Sequence, residues 1–294
     1  MEIDSFNDIY GNPIFKVFIS NAKARKNQLR QHRHTEFELS LILFGTGNYK
    51  TQKDDFDIQQ DDIFLFSTNE FHCITDIHTN NETDCMMLLN MHFSPNFVAN
   101  NNILPNANNY MDIFFNRNQN FSNRLTRDNP YTPLIKEYIL KIREECEKKQ
   151  ENYQTMVQTL TTTILLLIYR HYNYTNQKSS KSISLNNKYK ANLINALAFI
   201  NNHYCENISL NEIVAHARLS KTTFIAVFKN IYGMTTWDYI NIKRIEQALA
   251  LLKNTDDTIL SIASQCGYNN TANFNKIFKA VTGITPKEYR KNNR

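Results

Sequence analysis

Between Phe15 and Phe93 the hydrophobic residues come in short runs broken by turn-forming residues. Phe37 to Phe44 (FELSLILF) ends at Gly45-Thr46-Gly47-Asn48, residues that tolerate a positive φ. Phe56-Asp57-Ile58 alternates, Asp61-Asp62 turns the chain, and Ile63 to Phe66 and Met86 to Phe93 are again apolar. Strands at this spacing predict a small barrel or sandwich with an interior able to hold one small ligand. From Thr132 the period lengthens. Leu134, Ile135, Tyr138, Ile139, Ile142 and Cys146 recur every three or four residues, which predicts an amphipathic helix. Glu147 to Asn152 ends it, and Met156 to Tyr169 forms a second, more apolar helix. Their wide apolar faces either cover the barrel or form a subunit seam.

Beyond a polar stretch, Gln177 to Ser182, the pattern becomes wholly helical and repeats itself. Ser209 with Glu212 forms a capping box that opens a short helix through Ile213, Val214 and Ala217. Arg218-Leu219-Ser220 turns, and a helix from Lys221 to Tyr232 buries Phe224, Val227 and Phe228 before Gly233 stops it. Two short helices around a three-residue turn read as a helix-turn-helix. About 50 residues later Thr258 opens a helix running to Cys266. Gly267-Tyr268-Asn269 turns, and Asn269 or Asn270 caps a helix with Phe274, Ile277 and Phe278 that ends at Gly283. Trp237 to Leu252 joins the two units as a rigid spacer, and Trp237, Leu251 and Leu252 read as core by the same periodicity.

Length and composition change this picture little. The 294 residues allow two domains with real cores, and 41% hydrophobic with 21% charged residues is ordinary for a globular chain. No apolar run is long enough for a membrane span, and the N-terminus lacks a basic, then apolar, leader. Five scattered cysteines (Cys73, Cys85, Cys146, Cys205 and Cys266) form no C-x-x-C pair, which argues against a disulfide framework and for a reducing cytoplasm. Charge matters more. Residues 188–294 hold 14 Lys and Arg against 7 Asp and Glu, a net of +7, whereas residues 1–187 hold 19 against 21. A neutral front half and a basic back half suggest a sensor joined to a polyanion-binding module.

The front half also holds candidate chemistry. His32-x-His34, Glu38 and Gly45 have the spacing of a first cupin motif, and residues i and i+2 of a strand share a face. His72 would supply a fourth ligand, but the second motif's expected Gly and Pro positions hold Asp61, Ser67 and Asn69. His32, His34, Glu38 and His72 are therefore candidate ligand-pocket residues first, with Arg33 beside them, and metal ligands only second. No metal and no cofactor are expected. No nucleophile triad, Walker loop or dinucleotide fingerprint appears, so no catalytic residue is assigned and the chain is expected not to be an enzyme.

The back half resembles the AraC/XylS family of bacterial transcription regulators over roughly residues 190–294. The matching residues are Ala215, Leu219-Ser220, Phe224, Phe228-Lys229, Gly233, Tyr239, Arg244, Ala248 and Leu251-Leu252. They continue through Ile262-Ala263, Gly267-Tyr268, Phe274, Phe278-Lys279, Gly283, Thr285-Pro286 and Tyr289-Arg290. The front half is similar to that family's cupin-type sensor, with Asn69-Glu70-Phe71-His72 as its later motif. The resemblance implies an α+β fold: a cupin-like β-barrel with two following helices (residues 1–175), a linker (176–188), and an all-α domain of two helix-turn-helix units (189–294). It implies two recognition helices in successive major grooves, about 34 Å apart. Aligning the motifs puts Thr222, Ile225 and Ala226 at base-facing positions of the first helix, and Thr271, Ala272, Asn275 and Lys276 in the second. Many relatives carry Arg at the position of Ala226. Ser220, Lys221, Lys229, Asn270 and Lys279 are phosphate candidates, and Arg244 is expected to hold the two units together.

The expectation for the whole chain is a ligand-responsive activator of a metabolic operon. Its expected partners are double-stranded DNA, a small-molecule effector such as a sugar, RNA polymerase and a second copy of itself, with no membrane. The effector would change dimer geometry or release an N-terminal arm, residues 1–14. Two other readings stay open: a cupin metalloenzyme fused to a DNA-binding module, and a ligand-independent repressor whose barrel is only a dimerisation scaffold.

Overall fold

The computed structural model describes residues 1–7, 13–23, 34–51, 53–78, 85–98, 109–176 and 180–293. The chain divides into two compact units, one of residues 1–28, 36–68 and 74–187, the other of residues 188–294 with the short segments 29–35 and 69–73.

Among the described residues the chain begins with eight strands: β1 (Glu2–Asn7), β2 (Pro13–Lys23), β3 (Phe37–Phe44), β4 (Thr46–Thr51), β5 (Asp55–Ile58), β6 (Ile63–Phe66), β7 (His72–His78) and β8 (Cys85–Phe93). A five-stranded sheet has the order β1-β2-β8-β3-β6 and a three-stranded sheet the order β5-β4-β7. Two helical turns, α1 (Pro95–Val98) and α2 (Asp112–Phe115), lead to the long helices α3 (Thr132–Lys148) and α4 (Tyr153–His171). β3 shows why its sequence is almost continuously apolar. Phe37, Leu39 and Leu41 face one side, in a core with Ile135, Ile139 and Ile142 of α3 and Ile164, Leu165 and Ile168 of α4. Ile42 faces the other side, in a second core with Tyr49, Ile58, Phe64, Phe66, Met86 and Leu88. The large sheet is thus covered on both faces, the condition under which strand alternation disappears from a sequence. Of the two roles open for α3 and α4, the covering of the barrel sheet is met.

Two segments take on secondary structure of their own. Within the expected arm, residues 2–7 form β1, antiparallel to β2. Phe6 is buried and stacks on Phe15 at 4.9 Å, and Lys149 Nζ sits 2.8 Å from Asp4 Oδ1. The segment expected to be a linker, 176–188, runs into a helix, α5 (Ser180–His203).

The second unit continues with α6 (Leu210–Ala217), α7 (Lys221–Tyr232), α8 (Thr236–Asn254), α9 (Ile259–Gln265), α10 (Thr271–Thr282) and α11 (Pro286–Asn293). It has two cores. One joins Leu193 and Ile200 of α5 to Ile213, Phe224, Phe228, Tyr232 and Ile240. The other joins Ile245, Ala248 and Leu252 to Ile262, Cys266, Phe274 and Phe278. Helix α8 supplies residues to both, its first turns to one and its last turns to the other. Among the described residues no helix is long and apolar enough to cross a membrane.

Candidate nucleic-acid interface

Each helix-turn-helix is fixed by local hydrogen bonds that its sequence prescribes. Ser209 Oγ accepts from the Glu212 N–H at 3.3 Å, and Glu212 Oε2 accepts from the Ser209 N–H at 2.7 Å. The Ser209 side chain first, and its backbone N–H second, hydrogen-bond the Glu212 carboxyl and hold it below its ordinary value of 4.5. Ser220 caps α7 by accepting from the Thr223 N–H at 3.2 Å, and Asn270 caps α10 by accepting from the Asn273 N–H at 2.8 Å. Each such cap contributes about 1 kcal/mol. Gly233 and Gly283 end α7 and α10 at φ 63° and 80°, in the left-handed region where a glycine costs least.

The two units repeat in a register of 50 residues. Phe224 and Phe228 of α7, like Phe274 and Phe278 of α10, are fully buried. Lys221, Thr222, Ile225, Ala226 and Lys229 are exposed on α7, and Ala272, Asn275, Lys276 and Lys279 on α10, with Thr271 half-buried. Ile225 is 44% exposed, unusual for an isoleucine on a helix that buries Phe224, Val227 and Phe228. Thus every position expected to face bases or phosphates lies outside the cores. The repeat also extends further than its sequence suggested. Thr235 and Asp238 form a capping box at the start of α8, and Thr285 with Glu288 forms another at α11. Tyr239 and Tyr289 follow at the same offset, so α11 is a shortened copy of α8.

Arg244 and Gly267 join the halves of this unit. From α8, Arg244 Nε donates to the Tyr204 carbonyl at 2.6 Å and Nη2 to the Glu206 carbonyl at 2.8 Å. Its guanidinium carbon also lies 5.3 Å from the Tyr268 ring centroid. Gly267, at φ 80°, approaches so closely that a Cβ there would meet the Cys205 carbonyl oxygen at 2.4 Å. Arg290 of α11 likewise donates to the Asp257 carbonyl at 2.5 Å, before α9. Trp237 is a correction: it is 42% exposed, not core. It stands in the first turn of α8 on the wall of a cleft of about 190 Å³, with Asn207, Ile208, Arg244, Gly267, Tyr268, Asn269, Asn270 and Asn273.

The first unit has its own polar site. Glu38 and Ser40 of β3 pair in register with His92 and Asn90 of β8. Ser40 Oγ donates to Glu38 Oε1 and, at 2.8 Å, contacts Asn90 Oδ1; Asn90 Nδ2 donates to Ser20 Oγ at 2.8 Å. His92 Nε2 stands 3.2 Å from Glu38 Oε2. A polar row thus crosses β2, β8 and β3. Glu38 is buried in the first unit, and His34 and His72 are buried in the short segments that belong to the second. The His72 Nδ1 lies 2.9 Å from the Glu70 carbonyl oxygen. Of the expected pocket residues, His32 and Arg33 lie outside the described residues. The sequence reading missed Ser40, Asn90 and His92. Their signal was there: polar residues two positions apart inside FELSLILF and CMMLLNMHF.

Comparison with known proteins agrees with this division. Residues 213–292 match the model of a helix-turn-helix domain, and residues 16–128 match that of an AraC-like ligand binding domain. The chain is 23% identical over 265 residues to the uncharacterised HTH-type transcriptional regulator YdeC of Bacillus subtilis, covering 89% of this chain and 86% of that one. It is 26% identical over 263 residues to the HTH-type transcriptional activator RhaR of Mannheimia succiniciproducens, covering 88% and 86%. The melibiose operon regulatory protein of Escherichia coli is 32% identical over 95 residues, so the chain spans only 32% of its length. Among solved structures, ToxT from Vibrio cholerae superposes with a TM-score of 0.54 at 14% identity, covering 95% of this chain and 98% of that one, a likeness of fold.

Proposed function

Because this chain belongs to the AraC family of transcription regulators, with the ligand-binding domain ahead of the helix-turn-helix domain, we propose that it is an effector-responsive activator that reads one directional DNA site with two unlike recognition helices. The observation that carries this is the 50-residue register, which repeats the buried phenylalanines and changes the exposed side chains between them. Residues 189–294 bind DNA and residues 1–175 sense. On α7, Thr222, Ile225 and Ala226 face the bases, and the apolar pair suits thymine methyl groups. On α10, Thr271, Ala272, Asn275 and Lys276 face them; Asn275 can pair with adenine through two hydrogen bonds, and Lys276 can reach guanine. Ser220, Lys221, Lys229, Asn270 and Lys279 hold phosphates. The effector contacts the row formed by Glu38, Ser40, Asn90 and His92, and a polyol would satisfy so many hydrogen-bonding groups. Regulation of sugar operons by relatives such as the melibiose and xylose regulators points the same way. The protein acts in the cytoplasm as a homodimer with RNA polymerase; Leu140, Met156 and Leu166, exposed on α3 and α4, are the seam.

Selection from a random duplex pool tests the reading. It should return an A·T-leaning site with two half-sites about one helical turn apart, and Asn275→Ala should relax one position of the second half-site at a cost of about 1–3 kcal/mol. A G·C-rich consensus, or an Asn275→Ala variant with unchanged preference, would count against it.

A further inference from the structure

The cleft beside α10 is a strange place for the chain's single tryptophan. Tryptophan is bulky and largely apolar, with one N–H donor that seeks a partner. Trp237 instead leaves 42% of its surface exposed in a helical unit whose repeated phenylalanines, at 224, 228, 274 and 278, are fully buried. The wall it shares has no carboxylate. It offers the carboxamides of Asn207, Asn269, Asn270 and Asn273 and the guanidinium of Arg244, two of whose nitrogens are spent on the Tyr204 and Glu206 carbonyls. Such a surface, apolar on one side and rich in donors with a single positive charge, suits a sugar joined to an anion.

Its position names the source. Asn207 and Ile208 precede α6 of the first helix-turn-helix, whereas Asn269, Asn270 and Asn273 belong to the turn and first turn of α10 in the second. Asn273 is also three residues before Lys276 on α10, so the two are neighbours on the helix surface. The cleft therefore borders the base-facing side of α10 and lies between the two reading units. Resting on the DNA-binding reading, we propose that it grips the sugar-phosphate backbone that crosses from one half-site to the other. The Trp237 ring packs against deoxyribose, and its Nε1–H and the asparagine amides donate to a phosphate. The contact is independent of base sequence.

The single tryptophan makes this directly measurable in the intact chain. A random-sequence duplex of about 40 base pairs, long enough for both half-sites, is titrated at low salt while tryptophan emission and acrylamide quenching are followed beside a mobility shift. DNA should shield Trp237 from acrylamide in step with the shift. Trp237→Ala and Asn273→Ala should each weaken binding about three- to tenfold, the scale of one hydrogen bond with its supporting contacts. Because neither side chain is charged, the slope of affinity against salt should stay unchanged, whereas Lys279→Ala, at a phosphate-facing lysine, should lower it by about one. If DNA shifts the protein while acrylamide still reaches the tryptophan, or if both variants bind as the parent does, the backbone grip is wrong and base reading stands. If the parent chain binds no duplex at low salt, the DNA-binding reading falls, and the grip with it.

Discussion

At Gly267 the chain has no room for a side chain and no conformation for one either. The residue sits at φ 80°, and an added Cβ would meet the Cys205 carbonyl oxygen at 2.4 Å, a backbone atom that cannot swing away. Gly267→Ala should cost about 2 kcal/mol or more, seen as a lowered midpoint of thermal unfolding, because positive φ and overlap add. Cys266, beside it, is buried, and burial pushes its thiol up to about 12. It should resist alkylation at neutral pH until the domain unfolds. The capping carboxylates give a pH signature. Glu212 and Glu288 are both held below 4.5, chiefly by the Ser209 side chain and by the Thr285 backbone N–H. A lowered folded value means that the unfolded chain binds protons more readily, so the stabilisation is whole above pH 4.5 and lost as the pH falls through the lower folded values. Far-ultraviolet dichroism should therefore show acid loosening, and the slope should shrink in a Glu212→Gln, Glu288→Gln variant. Trp237 shows what periodicity cannot see. Its spacing puts it on the apolar side of α8, but in the first turn that side faces a cleft, since the helix's cores begin at Tyr239 and Ile240.

Elements with an apolar run or period were legible, and short or polar ones without it were not. Helices α7 and α10 lie where phenylalanine spacing, an N-cap and a C-terminal glycine agree. The segment that became α11, PKEYRKNN, is too polar to show a period, although its Thr285 and Glu288 spelled the same capping box as Thr235 and Asp238. The beginning of α5 is equally polar and read as a linker. β1 was hidden differently: alternation in six residues is too brief to separate a paired strand from an arm, and its pairing to β2 decides the matter. Helix α8 deserves the next experiment. Since Arg244 ties it to the carbonyls of Tyr204 and Glu206, Arg244→Lys keeps the charge but loses the fork. We expect that variant to bind an isolated half-site normally and to tolerate one or two base pairs of extra spacing that the parent rejects, as measured by competition with spaced duplexes.

The whole molecule keeps its charge where the polyanion goes: residues 188–294 carry a net of +7 and residues 1–187 a net of −2. Binding should accordingly weaken steeply between about 50 and 200 mM salt, as expected for several released counterions. The polar row should behave as a separate lever. Ser40→Ala or Asn90→Ala removes a buried partner from the Ser20–Asn90–Ser40–Glu38 chain. Each should abolish the effector's influence on transcription while leaving DNA affinity without effector within about twofold, since neither residue is in the helical unit. That row lay in plain letters, but a serine within FELSLILF or an asparagine within CMMLLNMHF reads as incidental until the register of β3 and β8 sets them opposite each other. The register of the two reading units has a different consequence. Position for position, Thr222 answers to Ala272, Ile225 to Asn275 and Ala226 to Lys276. One copy of this chain therefore carries an arrow: turned end for end on the same duplex, it presents the wrong letters to both grooves. A palindrome would be useless to a single chain. Its sites should stand in one orientation relative to the genes they serve, and inverting a site in place, with no base lost, should silence it.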